Sequence, residues 1–74
     1  MPTILDYAES ILSLEKQAIE QTERGNREGL RAAAQSLRDL ITDCEKALRV
    51  CDDLADEDRA WLEAKRDKAA AAMV

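Results

Sequence analysis

The feature that most constrains the fold is a run of apolar residues that recurs every three or four positions between residues 30 and 54. Because an α-helix turns once in about 3.6 residues, this spacing places the apolar side chains on one helical face for about six turns. The members of the run are Leu30, Ala33, Ala34, Leu37, Leu40, Ile41, Cys44, Ala47, Leu48, Cys51 and Leu54. The sequence therefore predicts a long central helix with one buried face.

A second apolar run, in residues 4–19, predicts another amphipathic helix before the central one. Thr3 can cap its first turn, and Asp6 can reach back to the cap as in a capping box. Gly25 and Asn26 are residue types that end one helix and begin the next, and so short a connection makes the two helices antiparallel. We expect the buried face to contain Ile4, Leu5, Ala8, Ile11, Leu12, Ala18 and Ile19, with Tyr7 and Leu14 beside it.

The end of the central helix is ambiguous, because no glycine or proline follows Leu30. A cluster of acidic residues favours a turn near residues 52–56, since carboxylates are unfavourable at the negative end of one helix and favourable at the positive start of the next. We therefore expect a third helix, capped by Asp53 or Asp56. The acidic cluster consists of Asp52, Asp53, Asp56, Glu57 and Asp58.

These segments together predict an all-α fold, in which an antiparallel helical hairpin is followed by a third C-terminal helix. We expect helices at about residues 3–24, 27–51 and 56–72, within a single helical domain that spans residues 1–74. The third helix has the thinnest apolar face, with Trp61 as its largest member, so it would pack weakly alone.

The apolar faces of the three helices are larger than one small bundle can hide, which favours self-association. A chain of 74 residues is also near the size at which one core gives only a few kcal/mol of net stability. We therefore expect a homo-oligomeric bundle, most simply a dimer. The candidate interface residues are Ile4, Ile11, Leu14, Leu40, Cys44, Ala47 and Cys51.

The net charge of −5 comes from acidic and basic residues mixed along the chain, which disfavours a partner with a phosphate backbone. No run reaches the ~18–20 consecutive apolar residues that a membrane span requires. The first residues also lack the basic region of a signal peptide. We therefore expect a cytoplasmic protein that has no membrane partner.

The sequence lacks some of the residue types that enzymes commonly use for catalysis. The sequence contains no histidine, which removes the commonest general base and the commonest nitrogen ligand for metals. Its three serines lie in helical segments without an evident activating base, and its glycines do not form a phosphate-binding loop. We therefore expect no enzymatic activity, no cofactor and no metal site.

The two cysteines lie seven residues apart in the central helix, about 10 Å from each other along its axis. A disulfide requires Cα atoms within ~7 Å, so Cys44 and Cys51 cannot be bridged within one helix. We expect both to be reduced thiols packed in the core, since free cysteine behaves as a small apolar residue.

The expected function is that of a small protein-binding factor, an inhibitor, adaptor or co-chaperone, that acts through its helix surfaces. Small helical proteins of this kind are often accessory factors encoded by phages or mobile elements. Trp61 and Tyr7 are candidate partner contacts because both aromatic types are common among interface hot spots, although each can also serve as a core residue. The acidic cluster is a third candidate, and its position at a helix start explains it without a partner.

Two alternatives for the function remain open. Arg24, Arg27, Arg31 and Arg38 form a basic ridge near the hairpin turn, which would suit a nucleic-acid-associated hairpin dimer. A solvated face with local ion pairs accounts for the same ridge. The acidic cluster can alternatively imitate DNA phosphates and make the chain a DNA-mimic inhibitor, although nearby basic residues dilute its field.

Overall fold

The computed structural model describes residues 3–51 and 54–73, which form three α-helices and no β-strand. Helix α1 spans Ile4–Glu23, α2 spans Arg27–Val50 and α3 spans Asp56–Ala72. The prediction of an all-α three-helix fold is confirmed, and each helix boundary lies within one residue of its expected position. Within the described ranges, no helix is both long enough and apolar enough to cross a membrane.

The connection between α1 and α2 is tight because its residues satisfy both helix ends. The backbone of Gly25 adopts a left-handed conformation, with φ of 70°, that favours glycine after a helix. The Asn26 side chain then caps α2 by accepting a hydrogen bond from the Gly29 amide at 2.6 Å. At the far end of α1, the Thr3 amide donates to the Asp6 carboxylate at 3.2 Å, as expected for a capping box.

Gly29 is buried where the first turn of α2 passes the last turns of α1. A Cβ atom at this position would lie 2.6 Å from the Gln21 carbonyl oxygen and 2.9 Å from Asn26 Oδ1. The backbone oxygen cannot move away without shifting α1, so only glycine allows this approach. The structure therefore shows that Gly29 sets how closely the hairpin helices approach.

The core lies along one face of α2, which is the middle helix and contacts both α1 and α3. Ile11 of α1, Leu40 and Cys44 of α2, and Leu62 of α3 are the largest fully buried side chains. Two polar contacts also join α1 to α2. The Ser10 hydroxyl donates to Asp43 at 2.7 Å, and the buried Ser36 hydroxyl donates to Gln21 Oε1 at 2.9 Å. Helices α1 and α3 are hardly in contact with each other.

The chain turns between α2 and α3, as the acidic residues predicted, but the expected cap of α3 is wrong for Asp56. Ala55 occupies the cap position in an extended conformation and makes no side-chain cap hydrogen bond. Asp56 is instead the first helical residue, and together with Glu57 and Asp58 it places carboxylates in the first turn, where the helix dipole favours them. Asp53, the other expected cap, lies outside the described residues.

Substitution of Gly29 by alanine tests the close approach of the hairpin helices. Alanine is about 1 kcal/mol better than glycine in a helix interior, so propensity alone predicts stabilisation. The clash with the Gln21 carbonyl reverses the sign, and we expect Gly29→Ala to lower the free energy of unfolding by about 1–2 kcal/mol. Urea titration followed by circular dichroism measures this, with the exposed Arg31→Ala as a control expected to change little. A stabilised Gly29→Ala would contradict the close approach.

Candidate protein-binding surface

The two aromatic residues expected to contact a partner are both half-buried against the core. Trp61 lies on α3, and the Lys65 ammonium group stands 5.6 Å from the centroid of its ring, within the range of a cation–π contact. Tyr7 packs against the same core from α1. Each residue therefore helps to hold the three helices together and keeps part of its side chain accessible.

The acidic cluster is only partly covered by the structure. Asp56 and Glu57 are exposed, Asp58 is half-buried, and Asp52 and Asp53 lie outside the described residues. The three described carboxylates occupy the first turn of α3, where their attraction to the helix dipole accounts for them.

The residues predicted to form an oligomer interface are packed in or against the core of the single chain instead. Four of them are buried in its core, and three are half-buried and packed against it. The buried four are Ile11, Leu40, Cys44 and Ala47, and the half-buried three are Ile4, Leu14 and Cys51. A second copy would reach the buried four only if the helices separated. The prediction of an oligomer stays a prediction, and the apolar side chains that the fold leaves exposed are different ones.

Three exposed apolar side chains lie in line along α1, and we call them the outer row. They are Leu5, Leu12 and Ile19, with exposed fractions of 76%, 49% and 55%. Their seven-residue spacing puts them two turns apart on one side of the helix, over a length of about 21 Å. The expectation that they are buried is wrong, because α2 and α3 cover only part of the apolar face of α1. Their seven-residue repeat does not separate them from the core side of the helix, because Ile4, Ile11 and Ala18 have the same spacing.

A groove lies beside the outer row, between α1 and α3, and encloses about 300 Å³. Side chains from α2 contribute to its apolar lining, and the alanines of α3 are too small to fill it. Ile19 belongs to both the outer row and the groove. The apolar lining residues are Ala18, Ile19, Leu37, Leu40, Ala69 and Ala72. Sequence reasoning missed the groove, because it depends on how far α3 stands from α1.

Charged residues line the groove on both helices. The Lys65 ammonium group of α3 contacts both carboxylate oxygens of Glu15 on α1, at 3.0 and 2.9 Å. This ion pair crosses the groove and joins the two helices, which otherwise hardly touch. Glu23 on α1 and Lys68 on α3 are exposed, and neither forms an ion pair with another described residue. The groove therefore carries one accessible acidic group and one accessible basic group, on opposite helices.

None of the residues of the basic ridge lines the groove. Arg27, Arg31 and Arg38 are exposed and follow a four- and seven-residue spacing that places them on one side of α2, over about 16 Å. Arg24 is exposed at the end of α1. None of the four is paired with a carboxylate in the described parts of the chain.

The buried Cys44 thiol is not activated as a nucleophile. Burial, aided by the neighbouring Asp43 carboxylate, raises the pKa of the Cys44 thiol from 9.0 to about 11, which keeps it protonated near neutral pH. Cys51 is a free, half-buried thiol. Among the described residues, no group of three or more acidic or cysteine side chains is placed to hold a metal ion. What the arrangement offers chemically is an apolar surface with charged edges.

Comparison with known proteins adds no functional assignment: no family model, no curated protein and no solved structure matches the chain.

The two thiols should differ in reactivity. At about pH 8, a thiol of pKa about 11 carries about 100-fold less thiolate than one of pKa 9.0, and Cys44 is also fully covered. We expect iodoacetamide to alkylate Cys44 at least about 100-fold more slowly in the native protein than in denaturant. Peptide mass spectrometry measures this, and the half-buried Cys51 serves as the internal control. Equal rates for Cys44 in the native and denatured protein would contradict the packing of the core.

Proposed function

We propose that this chain is a non-enzymatic protein-binding factor that holds an amphipathic helix of another protein in the groove between α1 and α3. The observation that carries the proposal is the apolar groove, whose edge residue Ile19 also belongs to the exposed outer row. Contiguous apolar surface that is bordered by charge is characteristic of protein interaction sites. A helix laid in a groove is one of the recurring ways in which proteins recognise each other.

The size of the groove suits a few apolar side chains of a partner helix. A space of about 300 Å³ is at the lower end of the range of about 300–1,000 Å³ found for ligand sites. Helices α1 and α3 supply its walls, with lining residues between positions 15 and 23 of α1 and between positions 65 and 72 of α3. Apolar side chains spaced three, four and seven residues apart on a partner helix would fit such a groove.

The charges at the groove favour one chemistry in the partner. Glu23 on α1 would attract a basic residue of the bound helix, and Lys68 on α3 would attract an acidic one. Both side chains are exposed, so they contribute more to orientation than to affinity. The favoured partner is therefore an amphipathic helix with bases along one edge of its apolar face and acids along the other.

Binding without chemical conversion is the mode of action of an inhibitor, an adaptor or a co-chaperone. We propose that the chain acts in one of these roles and that it does so in the cytoplasm. The protonated thiol of Cys44 is compatible with such a role.

Filling the groove should weaken the binding of a partner helix. Ala72 lines the groove near the end of α3, and a tryptophan there would occupy the space that a bound side chain needs. Amphipathic helical peptides selected from a displayed library against the native chain provide the probe. We expect Ala72→Trp to weaken the binding of these peptides by at least about 10-fold, as the loss of an apolar anchor typically does. Fluorescence anisotropy with labelled peptides measures the change.

The matched control is Ala70→Trp, which adds the same side chain to the same helix at an exposed position outside the groove. It should leave peptide affinity within about twofold, since surface changes away from the contact have small effects. Two results would count against the proposal. The library could yield no helical binder, or the selected peptides could bind the Ala72→Trp variant as tightly as the native chain.

A second candidate function, nucleic-acid binding, is supported by the exposed alignment of Arg27, Arg31 and Arg38 on α2. If these residues contact phosphates, Arg27→Ala combined with Arg31→Ala should reduce the slope of log affinity against log salt by about 2. Filter binding of duplex DNA and of single-stranded RNA at several salt concentrations measures the slope. The absence of binding at low salt would remove this candidate.

A further inference from the structure

We infer that a second copy of this chain covers the outer row, with the two α1 helices packed antiparallel about a two-fold axis at Leu12. In this arrangement Leu12 meets Leu12 of the partner subunit, and Leu5 meets Ile19 of the partner subunit. The inference concerns the outer side of α1, which shares Ile19 with the groove, and it does not rest on the proposed function of the groove.

The outer row has the symmetry that such a contact requires. A two-fold interface places the same surface patch of both subunits together, so the patch must be complementary to itself. Leu5 and Ile19 lie seven residues before and seven residues after Leu12. A two-fold rotation through Leu12 therefore exchanges the positions of Leu5 and Ile19, which are large apolar side chains of similar size. A seven-residue repeat is also the spacing that keeps a seam of apolar residues in line between two packed helices.

Charges beside the outer row select the antiparallel direction. Glu9 and Lys16 border the row on one side, three residues before and four residues after Leu12, and both are exposed. Neither forms an ion pair with another described residue of its own chain. In the antiparallel arrangement, Lys16 of each copy lies level with Glu9 of the partner subunit and on the same side of the seam, which gives two symmetric ion pairs. A parallel arrangement would place these charges on opposite sides of the seam.

The other side of the outer row borders the groove and brings a small residue to the proposed contact. Glu15 borders that side, and its carboxylate is already held by Lys65 of α3. In the antiparallel arrangement, the residue level with Glu15 is Ala8 of the partner subunit. A methyl side chain at this position lets the two α1 helices approach without displacing the ion pair between Glu15 and Lys65.

The surface is small, because one pair of short helices buries less than a standard interface, which covers about 800 Å² per partner. Small interfaces are typical of transient contacts, so we expect a reversible dimer that forms in the micromolar range. Most of that affinity would come from three large side chains on each copy, which are 76%, 49% and 55% exposed in the single chain.

The first test is sedimentation equilibrium over a wide range of protein concentration. We expect the native chain to pass from a monomer of 8.3 kDa to a dimer in the micromolar range. Leu12→Glu places two carboxylates at the two-fold axis and should raise the dissociation constant by roughly 30-fold or more. The matched control is Leu30→Glu, which makes the same change at a residue of α2 that is 53% exposed and lies outside the row. It should leave the dissociation constant unchanged.

A charge exchange tests the ion pairs without altering the apolar residues. Glu9→Lys alone, or Lys16→Glu alone, should weaken the dimer by bringing like charges together across the seam. The double variant Glu9→Lys with Lys16→Glu restores opposite charges in the antiparallel arrangement, so it should recover the native dissociation constant. Because both side chains are exposed, these variants keep the fold and remain informative even if Leu12→Glu is poorly folded.

Disulfide trapping shows whether the two α1 helices are packed antiparallel or parallel. In a Cys51→Ala background, Leu12→Cys should form a dimer-linking disulfide on mild oxidation, because the two Cα atoms face each other at the axis. Leu5→Cys should not, since its copies lie about 21 Å apart along an antiparallel pair. Efficient linking through Leu5→Cys would indicate a parallel dimer. That result, a native chain that stays monomeric at high concentration, or a dimer insensitive to Leu12→Glu and to the charge changes would overturn the inference.

Discussion

The structure depends on the apolar face of α2, because both other helices pack on it and hardly contact each other. Ile11 of α1 and Leu62 of α3 are buried together with Leu40 and Cys44 of α2. Burying a large aliphatic side chain is worth about 1.5–3 kcal/mol before the loss of chain entropy, so these contacts supply much of the driving force for folding. With α2 as the shared surface, α1 and α3 can pack without closing against each other, and the groove follows from that geometry.

The two outer helices are attached to α2 in different ways. The hairpin between α1 and α2 is tied by the caps at Gly25 and Asn26 and by the close backbone approach at Gly29. Helix α3 begins without a side-chain cap hydrogen bond, and it buries only Leu62 and Ala69 fully. Its ion pair to α1 is partly exposed and is worth about 1 kcal/mol or less. The wall of the groove formed by α3 is therefore held less firmly than the wall formed by α1.

The sequence predicted what local rules determine. Helix boundaries followed from apolar periodicity, from Gly25 and Asn26, and from the acidic residues at the start of α3, since each of these acts within one or two turns. The surface was not predictable in this way. Leu12 and Ile11 are adjacent members of one apolar stripe, yet Ile11 is fully buried and Leu12 is half exposed. Which one the core covers depends on the position of α3, and no local pattern encodes that position.

The alanines of α3 explain why apolar surface remains open at all. Ala69 and Ala72 face the groove, where leucines would fill its volume and bury more apolar area within one copy. A chain that depended only on its own core would gain stability from that change. Because these side chains are small, Ile19 remains accessible both from the groove and from the outer side of α1. A helix bound in the groove and a second copy on the outer row would both contact Ile19, so the occupancy of one surface is expected to alter the affinity of the other.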